Sequence, residues 1–291
     1  MRNRWLSLIS GICLQLFALT SEAQTKTEAV DFPGGEATGN AYPATPRVKA
    51  TLTLPANAQN GRVPAVVLLH GSGGIDGRGA YHAAGLSEAG YATLEVFMFE
   101  RGSRPRQGHT TTLSHAYGAL KYLATHPSID PQGIGVMGFS WGANMALRMS
   151  AASVRDAYAP WLESKDFAAH IGFYPVCWFF QNMVTQGTFG AFTGSPVWLA
   201  IGDKDDYGEP NDCPDFAAAV AESTKGKLSV TIYPDATHGW DVPSGGSRTV
   251  FDPSAFKGKG GQVRMFSDAK IALRSRQEAI RFFDTHLKRK P

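Results

Sequence analysis

The chain has 291 residues, of which 43% are hydrophobic and 18% charged, with a formal net charge of +3. Such a composition excludes a disordered or fibrous chain and suits a domain with one sizeable core. A balance so near neutrality gives no reason to expect nucleic-acid binding, and no basic face with interleaved aromatics is visible.

Met1-Arg-Asn-Arg4, an uncharged stretch from Trp5 to Thr20, and Ser21-Glu-Ala23 have the three regions of a secretory signal, with cleavage expected after Ala23. The apolar stretch falls short of the ~20 residues a membrane span needs. A secreted or periplasmic mature protein without a membrane span is therefore expected. Residues 24–47, rich in Thr, Ala, Pro and Gly, read as a loosely held N-terminal arm, and residues 48–291 as a single α/β domain. Strands are expected at 48–54, 64–70, 91–97, 133–138, 169–174, 197–202 and 228–233. Helices are expected at 80–89, 111–125, 141–151, 214–224 and 268–287. Their alternation implies a mostly parallel sheet with helices on both faces. Without the signal, Cys177 and Cys213 are the only cysteines, and an even pair in an exported chain suggests a disulfide. Two cysteines without spaced histidines do not make a zinc site, so no metal is expected.

The chemistry concentrates at Gly138-Phe-Ser140-Trp-Gly142, which lies between an apolar, strand-like run and a helix-like one. A strand reversing into a helix within so few residues exposes the middle side chain, and flanking glycines remove Cβ atoms that would clash. This is the pattern of a nucleophile elbow at Ser140. A serine nucleophile needs a base, an orienting carboxylate and an oxyanion hole. Downstream, Asp203-Lys-Asp205-Asp206 follows one strand and Pro234-Asp-Ala-Thr-His238-Gly239 follows the next, in the order serine, acid, histidine. Only His238 and His286 lie beyond the acid loop; His286 sits at the end of a terminal helix, which makes His238 the base. Asp205 is the first choice for the acid, with Asp203 in reserve. Upstream, the apolar run Pro64–His70 opens into Gly71-Ser-Gly-Gly74. Amides at Ser72 or its glycine neighbours, together with the Trp141 amide, would form the oxyanion hole, and His70 would organise that loop.

These segments together resemble the dienelactone hydrolase family of α/β-hydrolases. The similarity runs through His70-Gly-Ser-Gly-Gly74, Phe99-Glu-Arg101-Gly102, Ala116-Tyr-Gly-Ala-Leu120, Ile129-Asp-Pro131, the elbow, Gly202-Asp-Lys-Asp205, Tyr233–Gly239 and Arg281–Leu287, covering roughly 48–288. The resemblance implies an α/β-hydrolase fold, the triad above, and Arg101 as a residue for a substrate carboxylate. One departure is chemical: the namesake enzymes carry cysteine where this chain has Ser140.

Trp141, Tyr174, Trp178, Phe179, Phe180 and Trp240 flank strand ends on the catalytic side, and Trp178 and Trp240 are taken as substrate-binding candidates. The leading function is hydrolysis of a small-molecule ester or lactone through an acyl-enzyme. Such acyl transfer calls for no cofactor. The alternatives are a peptidase or acyltransferase on the same scaffold, and a non-catalytic binding protein that keeps the fold.

Overall fold

The computed structural model describes residues 25–243 and 247–288; the expected signal sequence, 1–23, lies outside them. Eight strands form one sheet: β1 (Lys26–Phe32), β2 (Val48–Leu54), β3 (Val63–Leu69), β4 (Ala92–Phe97), β5 (Ile129–Phe139), β6 (Ala169–Phe173), β7 (Val197–Gly202) and β8 (Leu228–Tyr233). Their order is β1-β2-β4-β3-β5-β6-β7-β8, antiparallel at β1–β2 and β2–β4 and parallel elsewhere. Burial explains the placement. All of β3 except Pro64 is buried, and a strand apolar on both faces belongs mid-sheet. β2 alternates buried and exposed residues, as a strand with one covered face does.

The sheet separates two cores. On one side lie α1 (Arg78–Glu88) and the terminal helix α9 (Ala269–His286). On the other lie α2 (Leu113–Thr125), α3 (Trp141–Met149), α4 (Ala152–Leu162), α5 (Cys177–Thr185) and α6 (Asp212–Ala219). One-turn pieces, α7 (Ala221–Thr224) and α8 (Ala255–Gly258), and three 3-10 turns (Thr38–Asn40, Ala56–Gln59 and His109–Thr112) complete the helices described. β9 (Arg248–Asp252) and β10 (Gly261–Met265) form a separate antiparallel hairpin.

Three expectations change. Residues 26–32, expected within a loose arm, pair with β2 from Lys26–Leu54 to Phe32–Val48. Only Phe32 of that strand is buried, so no apolar run announced it. The arm continues onto α2, where the Gly35 amide donates to the Ser114 carbonyl at 2.7 Å. The helix expected to reach 151 ends at Met149, and α4 starts at Ala152. The helix expected at 214–224 starts at Asp212 and breaks at Val220 into α6 and α7. Among the described residues, no helix is long and apolar enough to cross a membrane.

Cys177 and Cys213 form a disulfide, with Cα atoms 5.0 Å apart, joining the starts of α5 and α6. The loop it closes spans 36 residues. The denatured, unreduced mature protein, from which Cys13 has been removed with the expected signal, should therefore show no reactive thiol. Reduction should destabilise it by roughly 4 kcal/mol in the chain-entropy picture; two titratable thiols per chain would contradict the pairing.

Three buried histidines make the fold acid-sensitive. Burial pushes His170 and His115 down to about 4, and burial with the Arg148 cation pushes His109 down to about 3. The unfolded chain binds these protons near 6.5 while the folded one does not, so stability falls as pH drops from about 6.5 toward 4. The slope approaches roughly 1.4 kcal/mol per pH unit for each histidine. Urea midpoints taken between pH 7.5 and 4.5 should decline steadily, and a flat profile would refute neutral burial of these rings.

Candidate active site

β5 ends at Phe139 and α3 begins at Trp141, so Ser140 alone makes the reversal, at φ 52° and ψ −104°. A non-glycine residue held there costs on the order of 1–3 kcal/mol and persists only where its surroundings over-determine it. They do. The Ser140 amide donates to the Phe173 carbonyl at 3.0 Å, and the Gly142 amide donates to the His70 carbonyl at 3.2 Å. The glycines act through proximity. A Cβ on Gly138 would lie 2.0 Å from the Gly142 carbonyl, and one on Gly142 would lie 2.1 Å from the Leu69 carbonyl oxygen.

His238 Nε2 lies 2.8 Å from Ser140 Oγ, and Nδ1 lies 2.8 Å from Asp205 Oδ2. A carboxylate only accepts, so Nδ1 carries hydrogen and Nε2 is left to accept a hydrogen bond from the Ser140 hydroxyl. The other oxygen of Asp205 accepts from the Tyr207 amide at 3.0 Å. The imidazole sits between the rings of Tyr174 and Tyr207, at 4.7 and 4.4 Å. A second close backbone approach brings the acid and histidine loops together: a Cβ on Gly202 would meet the Ala236 carbonyl oxygen at 2.1 Å.

The neighbouring aspartates have other partners. Asp203 accepts from the Asp235 amide at 2.7 Å, fixing the turn before His238. Asp206 takes Arg264 in a fork, at 2.9 and 2.6 Å, and also accepts the Arg264 amide. It thereby pins β10 to the acid loop.

Behind the imidazole runs a buried polar chain. Arg78 pairs with Asp76 through Nε and Nη2, at 2.9 and 2.6 Å, and donates through Nη1 to the Tyr174 hydroxyl at 2.8 Å. That hydroxyl donates to Asp241 at 2.6 Å, and the second Asp241 oxygen lies 2.8 Å from His82 Nε2. Against the burial that would raise it, the His82 hydrogen bond and the Arg78 cation hold Asp241 below the usual carboxylate range.

His70 organises its loop as expected. Its Nε2 accepts from the Met98 amide at 3.0 Å, which leaves Nδ1–H to donate to the Gly71 carbonyl at 2.8 Å. The turn is closed by the Gly74 amide on Gly71, and Ser72 lines the cleft beside Ser140. The Trp141 amide is in the first turn of α3, where amides lack intrahelical acceptors and attract anions. Arg101 is exposed and lines the cleft near Ser140; Trp178 lines it further out. Trp240 does not line it. Its indole is 1% exposed, donates to Ser275 Oγ at 3.1 Å and packs on Tyr174 and Tyr233. A glycine-flanked position beside His238 had suggested a pocket wall, but the chain turns inward there. Sequence reasoning missed Tyr207, Arg78 and the hairpin. Tyr207, two residues beyond Asp205, was the one that local spacing had a chance to reveal. Among the described residues, no group of three or more His, Cys, Asp or Glu is arranged for a metal.

A profile of the dienelactone hydrolase family matches residues 48–287. Acyl-coenzyme A thioesterase 1 of Mus musculus is 32% identical over 105 residues, 36% of this chain and 24% of that protein. The chain thus spans about a quarter of the length of that curated relative. Among solved structures, Thermogutta terrifontis esterase 2 phosphorylated by paraoxon is 16% identical with a TM-score of 0.58, covering 87% of this chain and 94% of its own. Dienelactone hydrolase from Anabaena variabilis is 19% identical with a TM-score of 0.54, covering 89% and 99%. Both structures are similar to this one in fold.

The contacts at the elbow give a direct stability test. Because Gly142→Ala drives a methyl into the Leu69 carbonyl, it should cost more than about 3 kcal/mol or abolish folded expression. A thermal melt matching the parent's would show that the elbow is looser than described.

Proposed function

The chain belongs to the dienelactone hydrolase family; from that premise we propose a carboxylic ester hydrolase, an exported serine enzyme that cleaves esters or lactones through an acyl-enzyme on Ser140. The observation that carries this reading is the unbroken relay Asp205–His238–Ser140, with both links at 2.8 Å. His238 Nε2 takes the hydroxyl proton as Ser140 Oγ attacks the carbonyl carbon. Asp205 keeps the ring in the required tautomer and stabilises the imidazolium. The Trp141 amide and an amide at or beside Ser72 receive the developing oxyanion, aided by the α3 N-terminus. Collapse breaks the carbon–oxygen bond, and His238 returns its proton to the departing alcohol. Water, deprotonated by the same nitrogen, then releases the acid and restores Ser140.

A purely binding role leaves the backbone strain at Ser140 without a purpose. Thioesters undergo the same acyl transfer, and the name of the mouse relative makes them the second class to assay. Export is supported by the signal-like N-terminus and the disulfide.

With p-nitrophenyl acetate, Ser140→Ala should lower kcat by ~10⁴–10⁶ while the fold persists. Retention of more than a tenth of parental activity would refute the mechanism. Asp205→Asn should lose about 10⁴ in kcat through the wrong tautomer, whereas Asp203→Asn should act chiefly on the turn before His238. Equal losses in the two variants would mean that the acid is misassigned.

A further inference from the structure

Two cavities meet at Ser140. They share Ser72, Ser140, Tyr207 and Asp252 but differ in size and lining. The smaller, about 210 Å³, contains His238, with Arg101 and Arg248 on its walls. The larger, about 800 Å³, is lined by Trp141, Asn144, Trp178, Phe179 and Phe251 and does not include His238. An ion pair between Arg104 and Asp252, 2.9 Å long, ties the loop wall of the larger cavity to the hairpin.

The chemistry orients an ester between them, on the acyl-transfer reading above. His238 Nε2 must reach the leaving oxygen, so the alcohol half lies on the His238 side, in the smaller cavity. The carbonyl oxygen turns to the amides, and the acyl chain is left with the larger cavity. That cavity carries Arg104, Arg106 and Gln107 as well as its rings. Phe251 is 68% and Phe179 40% exposed, so large rings stand open on the same cleft as two indoles. Exposed apolar surface gathered in one cleft marks a place that a partner covers, and aromatic walls favour edge or offset contacts with another ring.

We infer that the preferred substrates are esters joining a bulky aromatic acid to a small alcohol, with the aromatic acyl group held between Trp178, Phe179 and Phe251. Two esters with the same leaving group isolate the acyl half: p-nitrophenyl 3-phenylpropanoate and p-nitrophenyl acetate, whose carbonyl carbons are chemically alike. The mature enzyme should favour the phenylpropanoate in kcat/KM by at least about tenfold, worth about 1.4 kcal/mol, with most of the gain in KM. p-Nitrophenyl hexanoate, apolar but without a ring, should fall between them. Phe179→Ala and Phe251→Ala should each shrink the phenylpropanoate-to-acetate ratio at least threefold. Equal or better use of acetate, or a ratio that survives both substitutions, would overturn the assignment while leaving ester hydrolysis intact. If neither ester is turned over faster than by the Ser140→Ala variant, the acyl-transfer reading itself falls, and this inference with it.

Discussion

The closeness of β3 and β5 at their C-terminal ends is the constraint on which the active centre depends. Leu69 and Gly138 are register partners, and α3 starts so near that Gly142 rests against the Leu69 carbonyl. No side chain fits between them, so the backbone at Ser140 has one way through. The same pairing marks the topological switch of the sheet. β4 lies outside β3 on one side and β6 outside β5 on the other, and the loops leaving the two central strands border a crevice. The Gly71–Gly74 turn and the elbow are those two loops. The proposed oxyanion amides and the proposed nucleophile thus owe their proximity to strand order.

The buried charges behind His238 follow a related logic. Taking Arg78 and Asp241 out of water is costly, and each is tolerable only with its partners in place. Their arrangement spends that cost on one object, the Tyr174 ring, whose hydroxyl links Arg78 to Asp241. Tyr174 itself has φ 46°, an uncommon conformation for so bulky a residue. A ring anchored at its hydroxyl and strained at its backbone makes a stiff floor for an imidazole 4.7 Å away. Removing Asp241 would leave the Tyr174 hydroxyl and His82 without that buried acceptor, which is the expensive outcome.

Strong local signals made the centre of the molecule legible in sequence. The apolar runs of β3, β5 and β7, the glycines at 138 and 142, and the order serine, aspartate, histidine all reflect nearby chain, and the structure brings Ser140, Asp205 and His238 together. What escaped was set by distant chain. β1 has one buried residue and gains its identity from pairing with β2. Trp240 and Trp178 looked equivalent as aromatics near strand ends, yet one packs under α9 and the other borders the cleft. Asp203, Asp205 and Asp206 are indistinguishable by composition. Asp206 was separable only through Arg264, 58 residues away, in a hairpin that no periodicity announced.

That hairpin also joins two properties usually discussed apart. Tyr207 holds Asp205 with its amide, covers His238 with its ring and hydrogen-bonds Asp252 with its hydroxyl. Asp252 in turn pairs with Arg104 across the cleft. Asp206 adds a second tie through Arg264, and the Phe256 and Lys257 amides bond to the Asp206 and Tyr207 carbonyls. The wall bearing Phe251 is therefore fastened to the loop that orients the imidazole. A displacement of that wall must strain Asp252–Tyr207 or Asp206–Arg264 before it leaves Asp205 undisturbed. In this architecture the shape of the larger cavity and the alignment of His238 are coupled mechanically, because both are read from the same five residues, 203–207.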